Sequence, residues 1–310
     1  LEFKAAPIFG LIGNILNPPA DSNGDNIYEI TIEVSDGKGG FDQQLLSITV
    51  TKVDFGLKLQ VKAFIQGAYN SSTQLMNDSL RIRNLIPIKQ PFNNLIDSLG
   101  LETITNNLLN TTGYDAVVDW VLIEIRPEIN PDSTLLSIPS LIQRDGDVID
   151  PATGSNLLSL GNINIGNYFI TLKHRNHLTI RTANAITLLG GTNTIDLTSN
   201  NSSTIEANHT VDEGNQLWAG DINKDNTIIS NGPNNDTSSI LSTILLVPNN
   251  TRLNSNYVYE GYLKADINLD GEVIFSGPNN DVNLVVFNII MHSKNTEHAQ
   301  NFIIRGSVKN

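Results

Sequence analysis

Alternation with a period of two marks the first part of the chain. In "NIYEITIEVSDGKGGFDQQLLSITV", Ile30, Ile32 and Val34 alternate with Thr31 and Glu33, and Leu46, Ile48 and Val50 resume the pattern after the glycine cluster between Gly37 and Gly40. Such alternation puts one face on a core and the other in water, so the two runs predict a β-hairpin. The pattern then changes. "AVVDWVLIEI" (116–125) is almost continuously apolar and β-branched, which predicts a central strand covered on both faces. "LKLQVKAFI", "SLIQRDGDVID" and "GNYFITLKHRNHLTIRTANAITL" add strands between glycine-centred turns, while "NNLIDSLGLETITNNLLN" (93–110) fits a short helix or a loop. Further on the period becomes helical: Ile240, Leu241 and Ile244 follow Asp236, and Val285, Val286 and Ile289 follow Asp281.

These patterns divide the chain into three stretches, 1–54, 55–205 and 215–310. The expected fold is mainly β: one or more β-sandwich domains, then a small α-containing module built around two loops. Many short strands between turn signals favour the sandwich for the middle stretch.

The last stretch contains an internal repeat. "GDINKDNTIISNGPNNDTSSILSTIL" (220–245) aligns with "ADINLDGEVIFSGPNNDVNLVVFNII" (265–290) at an offset of 45 residues. Two copies of one unit imply one shared purpose. Each copy opens like a calcium loop, with Asp221, Asn223 and Asp225 in the first and Asp266, Asn268 and Asp270 in the second. Calcium takes six to eight oxygens at about 2.3–2.6 Å, and side chains at loop positions 1, 3 and 5 converge on one point. Position 7 adds a backbone carbonyl, here that of Thr227 or Glu272. The acid that normally closes the shell from position 12 is replaced by Gly232 or Gly277, and an acid arrives late at position 16, as Asp236 or Asp281.

The delay is the same in both copies, and each late Asp directly precedes a helical pattern. "GPNN" then reads as an excursion that returns the acid to the loop. An Asp at that place also suits a helix N-cap, and one carboxylate oxygen can cap while the other ligates. Asn226 stands where the second copy has Gly271, at a position expected to be left-handed, which Asn tolerates better than most residues.

The charge balance agrees with cation binding. The 310 residues carry a formal net charge of -13, with only 16% charged and 6% aromatic residues. Such a chain repels nucleic acid and anionic membranes but attracts divalent cations. There is no cysteine, so neither disulfides nor thiol chemistry contribute. No apolar run reaches the length of a membrane span, and membrane insertion is not expected. The opening "LEFKAAPIFG" lacks an initiator Met and a signal-peptide pattern, and the chain is expected to be a fragment of something longer.

Other constellations offer little chemistry. His174 and His177 in "HRNH" are three apart within an expected strand, so they would point to opposite faces; a shared zinc would need a bulge or a helix there. His174, Arg175, Asn176 and His177 serve hydrogen bonding within the β domain or form a small polar surface. Asp119 and Glu124 have opposite strand parity, against a paired-carboxylate site, and Asp145 and Asp147 bracket Gly146 as in a hairpin turn. Trp120 sits in an apolar run as a core residue would, and Trp218 offers a ring that suits a sugar face. No phosphate loop, dinucleotide fingerprint or nucleophile elbow occurs, and the chain is not expected to be an enzyme.

Three resemblances add expectations. "PPADSNGDNIYEITIEVSDGKGGFDQQLLSITVT" resembles the last strands of a bacterial cadherin-like repeat. "GAYNSSTQLMNDSLR", "VVDWVLIEIR", "QRDGDVID" and "YFITLKHRNHLTIRTA" resemble, in order, a domain of large surface proteins of Bacteroidetes-type bacteria. The paired loops and helices are similar to a dockerin-type module with lengthened loops, which implies Ca2+ as the bound ion and a protein partner. Together they imply an extracellular or cell-surface bacterial protein with a calcium-stabilised structural and adhesive role. The alternative is a carbohydrate-binding or polysaccharide-utilisation module with a docking end. Its partner would be a protein or a glycan at the cell surface.

Overall fold

A computed structural model of the chain describes residues 12–14, 27–35, 37–49, 56–92, 102–198 and 216–306. They fall into two compact units, Leu1–Phe55 and Gly56–Asn310, and the protein is mainly β.

In the first unit, β1 (Ile12–Asn14), β2 (Ile27–Ser35) and β3 (Phe41–Thr49) form one antiparallel sheet in that order. Ile30 lies opposite Leu46 and Ser35 opposite Phe41, so the expected hairpin is present, with β1 as a third strand that the alternation did not announce. Gly37 and Gly39 turn the chain at φ 70° and 100°. Val50 and the opening decapeptide lie outside the described residues.

The second unit begins with β4 (Lys58–Lys62), the short hairpin β5 (Tyr69–Asn70) and β6 (Leu75–Met76), and two single-turn helices, α1 (Ser79–Ile82) and α2 (Asn106–Leu109). Residues 93–101 of the ambiguous segment lie outside the description; α2 is its helical part. Then come β7 (Val117–Pro127), β8 (Leu136–Gln143), β9 (Val148–Ile149), β10 (Leu158–Ser159), β11 (Gly166–Lys173), β12 (Ile180–Arg181), β13 (Ile186–Leu188) and β14 (Thr192–Asp196). One six-stranded sheet runs β12-β11-β7-β8-β9 with β13 also on β11; a second runs β10-β4-β14, with β14 parallel to β4. β7 is buried from Val117 to Arg126, as its continuous apolar run predicted. Leu59 and Val61 of β4 join Val121, Ile123, Leu141 and Ile170 in one hydrophobic cluster, so the two sheets share a core.

The remainder contains β15 (Thr227–Ile228), α3 (Asp236–Leu246), β16 (Tyr259–Glu260), β17 (Glu272–Val273), α4 (Asp281–Met291) and β18 (Ile304–Arg305). Its own cluster gathers Ile240 and Ile244 of α3, Val285 and Ile289 of α4, and Ile222 and Ile267 of the loops. The helical period was therefore read correctly: the buried positions are those one face of each helix presents.

One expectation needs correction. The helix cap is not the late Asp but the Asn before it: the side chains of Asn235 and Asn280 accept the amides of Ser238 and Asn283 at 2.7 and 2.9 Å. Asn235 and Asn280 have extended backbones, whereas Asp236 and Asp281 are the first helical residues. An N-cap needs that extended backbone to aim its oxygen at the free amides.

The pairing of the short strands crosses between the repeats. β15 of the first loop pairs with β18, and β17 of the second loop pairs with β16. Each loop is thus completed by the strand that follows the other copy's helix.

Candidate metal centre and the seam behind it

The two loops have the same backbone. At the fourth position Lys224 and Leu269 have φ 63° and 57°, at the sixth Asn226 and Gly271 have 62° and 92°, and the excursion repeats with Gly232 and Gly277 at 111° and 115°. Asn226 is left-handed, as its place opposite Gly271 required. Within each loop, short polar side chains fold the chain on itself. Asn223 Oδ1 accepts the Asp225 amide at 3.0 Å, and Asp225 Oδ1 accepts the Thr227 amide at 2.9 Å. Asn268 and Asp270 do the same to Asp270 and Glu272 at 3.0 and 2.8 Å.

The late acids return to their loops. Asp236 Oδ1 and Oδ2 accept the amides of Ile222 and Ile229, both at 2.9 Å. Asp281 accepts those of Ile267 and Ile274 at 2.7 and 2.8 Å. A carboxylate offers about four lone-pair sites, so each keeps capacity beyond these two bonds. Asp221 Oδ2 and Asp266 Oδ2 each accept the amide of the sixth residue at 3.2 Å. Glu272 turns its carboxylate out of the loop to Arg83 at 3.1 Å, leaving only its backbone for the loop interior.

The electrostatics are unbalanced. Burial, reinforced by Asp236 and Asp225, pushes the Asp221 carboxyl up to about 7. Burial likewise raises Asp236 and Asp266 to about 7 and Asp281 to about 8, against the backbone hydrogen bonds and, at Asp266, the Arg175 charge that oppose it. Oδ1 of Asp221 and Oδ1 of Asp266 are buried without a hydrogen-bond partner among the described residues, although Asp221 is 5% exposed and Asp266 not at all. A buried carboxylate oxygen with no donor is costly. A divalent cation fits what these oxygens lack. Yet among the described residues no group of three or more His, Cys, Asp or Glu side chains is gathered as a metal-holding cluster; amides and carbonyls would have to supply much of the shell.

Behind the loops lies a buried seam formed by "HRNH". β11 ends at Lys173, and residues 174–176 leave the sheet. The expectation that His174 and His177 point apart is therefore wrong: strand parity no longer applies, and their Nδ1 atoms are 2.9 Å apart. His177 Nε2 accepts the Gly67 amide at 3.0 Å, so its proton sits on Nδ1. That proton goes to His174 Nδ1 or to Asn176 Oδ1, 2.8 Å away. His174 Nε2–H then donates to Asp119 Oδ2 at 3.1 Å. Burial lowers both imidazoles below their ordinary range, and two neutral rings satisfy the whole chain of bonds.

Arg175 Nε also binds Asp119 Oδ2, at 2.9 Å, and Tyr262 donates its hydroxyl to Asp119 Oδ1 at 2.7 Å. The guanidinium lies 4.4 Å over the Tyr262 ring, donates to the Leu263 carbonyl, and reaches Asp266 Oδ2 at 3.4 Å. The Arg175 guanidinium, helped by the hydrogen bond from His174, holds Asp119 well below the usual carboxylate range despite its burial. Asn176 completes the seam, donating to the carbonyls of Lys264 and Asp266 and accepting the Gly220 amide. Gly67 lies against the Ile267 carbonyl with no room for a Cβ.

The other acids and rings behave structurally. Glu124 binds Arg126 at 2.7 Å and Lys173 at 2.9 Å, away from Asp119. Asp145 and Asp147 flank Gly146 at φ 94° in the β8–β9 turn. Trp120 is buried, with its indole N–H on the Pro87 carbonyl at 2.8 Å, and Trp218 is buried against His292.

Some residues of the repeat escaped the sequence reading. Asn250 and Asn295, 45 apart, each bind a helix-end carbonyl, of Ile244 at 2.9 Å and Ile289 at 2.7 Å. Gly261 and Gly306, also 45 apart, give their amides to the carbonyls of Gly271 and Asn226. Extending the same offset past residue 290 would have found all four.

Set against known proteins, the chain matches no protein-family model and has no significant match among curated proteins.

Proposed function

We propose that the chain is a calcium-stabilised structural and adhesive module of a secreted or cell-surface bacterial protein. In this reading Asp221, Asn223, Asp225, the Thr227 carbonyl and Asp236 hold one Ca2+, and Asp266, Asn268, Asp270, the Glu272 carbonyl and Asp281 a second. The observation that carries it is the pair of buried, unpartnered oxygens, Asp221 Oδ1 and Asp266 Oδ1, at the first position of each loop. Calcium supplies positive charge that turns the repulsion between the buried acids of each loop, Asp221 with Asp236 and Asp266 with Asp281, into attraction, so ion binding becomes folding free energy. The dockerin-like pattern and the net charge of -13 support the same reading. Calorimetric titration of the chain with calcium tests it: uptake of two ions and a rise in melting temperature are expected. At one hundred times the dissociation constant, each site adds about 2.7 kcal/mol. No heat and no change in melting would reject it.

A glycan-binding role is the second reading. A cleft of about 910 Å³ runs between Tyr69 and Asn77 on one side and Asn279, Asn283 and Phe287 on the other. Amides and rings are what hydroxyl-rich ligands need. Binding to a glycan array that Phe287→Ala removes would favour it.

A further inference from the structure

Resting on the calcium reading above, we infer that the two loops are unequal: residues 266–281 form the tight, structural calcium site, and residues 221–236 a weaker site that fills later. Affinity in loops of this kind follows ligand charge and rigidity. The ligand types at positions 1, 3, 5 and 16 are the same in both copies, so rigidity decides.

The β core clamps the second loop along its length. The Ile267 carbonyl abuts Gly67, and Leu269, 1% exposed, belongs to the cluster shared by the two sheets. Gly271 is tucked against Leu85 and Arg83 so closely that a Cβ would lie 2.7 Å from one and 2.8 Å from the other. Arg83 holds Glu272, and Arg175 and Asn176 hold Asp266. The first loop has Lys224 in place of Leu269, and its Asn223 and Asp225 are exposed where Asn268 and Asp270 are half-buried. Its sixth residue, Asn226, meets Gly306 and its seventh, Thr227, pairs with Arg305, a support matched at the second loop by Gly261 and β16. The first loop also meets the β core, through Lys224 beside Lys173 and Arg175, but among the described residues it has no counterpart to the close packing of Gly67, Leu85 and Arg83 on the second loop, and that clamp is what differs.

Charge does not reverse this order. Arg175 stands 3.4 Å from Asp266, but it is shared with Asp119 at 2.9 Å, which offsets part of its charge at the second loop. Lys224 places a cation within the first loop itself. An already ordered loop loses less conformational entropy when the ion arrives.

Calorimetry of the full chain should resolve two classes of site whose dissociation constants differ at least tenfold. Asp270→Asn should remove the tight class and Asp225→Asn the weak one; both side chains are accessible enough for the fold to tolerate the change. Equal affinities, or loss of the weak class in Asp270→Asn, would overturn the inference and leave the calcium reading standing. No uptake by the unsubstituted chain would overturn the calcium reading itself. If Asp270→Asn does not fold, hydrogen exchange on the unsubstituted chain decides. The amides of 271–274 should become protected at tenfold lower calcium than those of 226–229, and simultaneous protection would refute the order.

Discussion

Arg175 binds Asp119 of β7 at 2.9 Å and reaches Asp266, the first residue of the second loop, at 3.4 Å. One guanidinium, 4% exposed, thus stands between a carboxylate of the main sheet and a carboxylate of the repeat. Removing it leaves two buried acids without their cation. Breaking a buried pair in this way costs about 3–5 kcal/mol. Arg175→Met should lower the unfolding free energy obtained from urea titration by that amount, with a matching fall in the midpoint, and Arg175→Lys should recover only part, because an ammonium lacks the planar fork. A midpoint unchanged in Arg175→Met would show that the seam does not hold the molecule together.

Gly67 offers a test that involves no charge. A methyl group there would collide with the Ile267 carbonyl and crowd the His177 ring. Backbone on one side and a buried imidazole on the other leave no flexible group to move aside. Gly67→Ala should therefore destabilise the chain by about 1–3 kcal/mol, the usual range for overpacking. Thermal melting checks it, and wild-type stability would mean that the contact yields without cost.

The 45-residue symmetry makes a paired prediction. Asn250 and Asn295 each donate to a buried helix-end carbonyl and accept an amide four residues on. Asn250→Ala and Asn295→Ala should each cost about 1–3 kcal/mol, since the carbonyl left behind is buried. Chemical denaturation should give two similar values. A large effect at one and none at the other would show that the helix ends are not equivalent.

How much of this was legible follows from the range of the interactions. The hairpin, the central strand β7, and helices beginning at Asp236 and Asp281 are local patterns, and period alone reveals them. The return of Asp236 and Asp281 to their loops was legible because the repeat supplied its own comparison. The helix cap was misassigned because Asn and Asp both suit it and only backbone geometry separates them. The turn at His174 was hidden because "YFITLKHRNH" continues strand-like to the eye, while Gly67, Asp119 and Tyr262, which decide its shape, lie 55 to 110 residues away. Asp119 illustrates the limit: an acid in an apolar run signals a buried role, but nothing near it names Arg175.

The histidine pair sets a pH dependence with a definite sign. His177 Nε2 accepts the Gly67 amide at 3.0 Å, so a second ring proton would face a donor. Burial, then the neighbouring His174 and Arg175, lowers the His177 pKa well below its ordinary value. The unfolded chain takes up this proton near pH 6.5 while the folded chain does not, so the unfolded state binds more protons below that pH. Stability is full above the unfolded pKa and falls as pH drops through it, by up to about 1.4 kcal/mol per pH unit for each histidine held neutral. The loop acids act in the opposite sense when free of metal, because burial raises them, so the measurement belongs in excess calcium. There, urea midpoints should fall between pH 7 and pH 5. His177→Gln, whose amide oxygen can accept the Gly67 N–H without titrating, should reduce the slope. A slope unchanged by that substitution would remove His177 from the pH response and leave His174 to account for it.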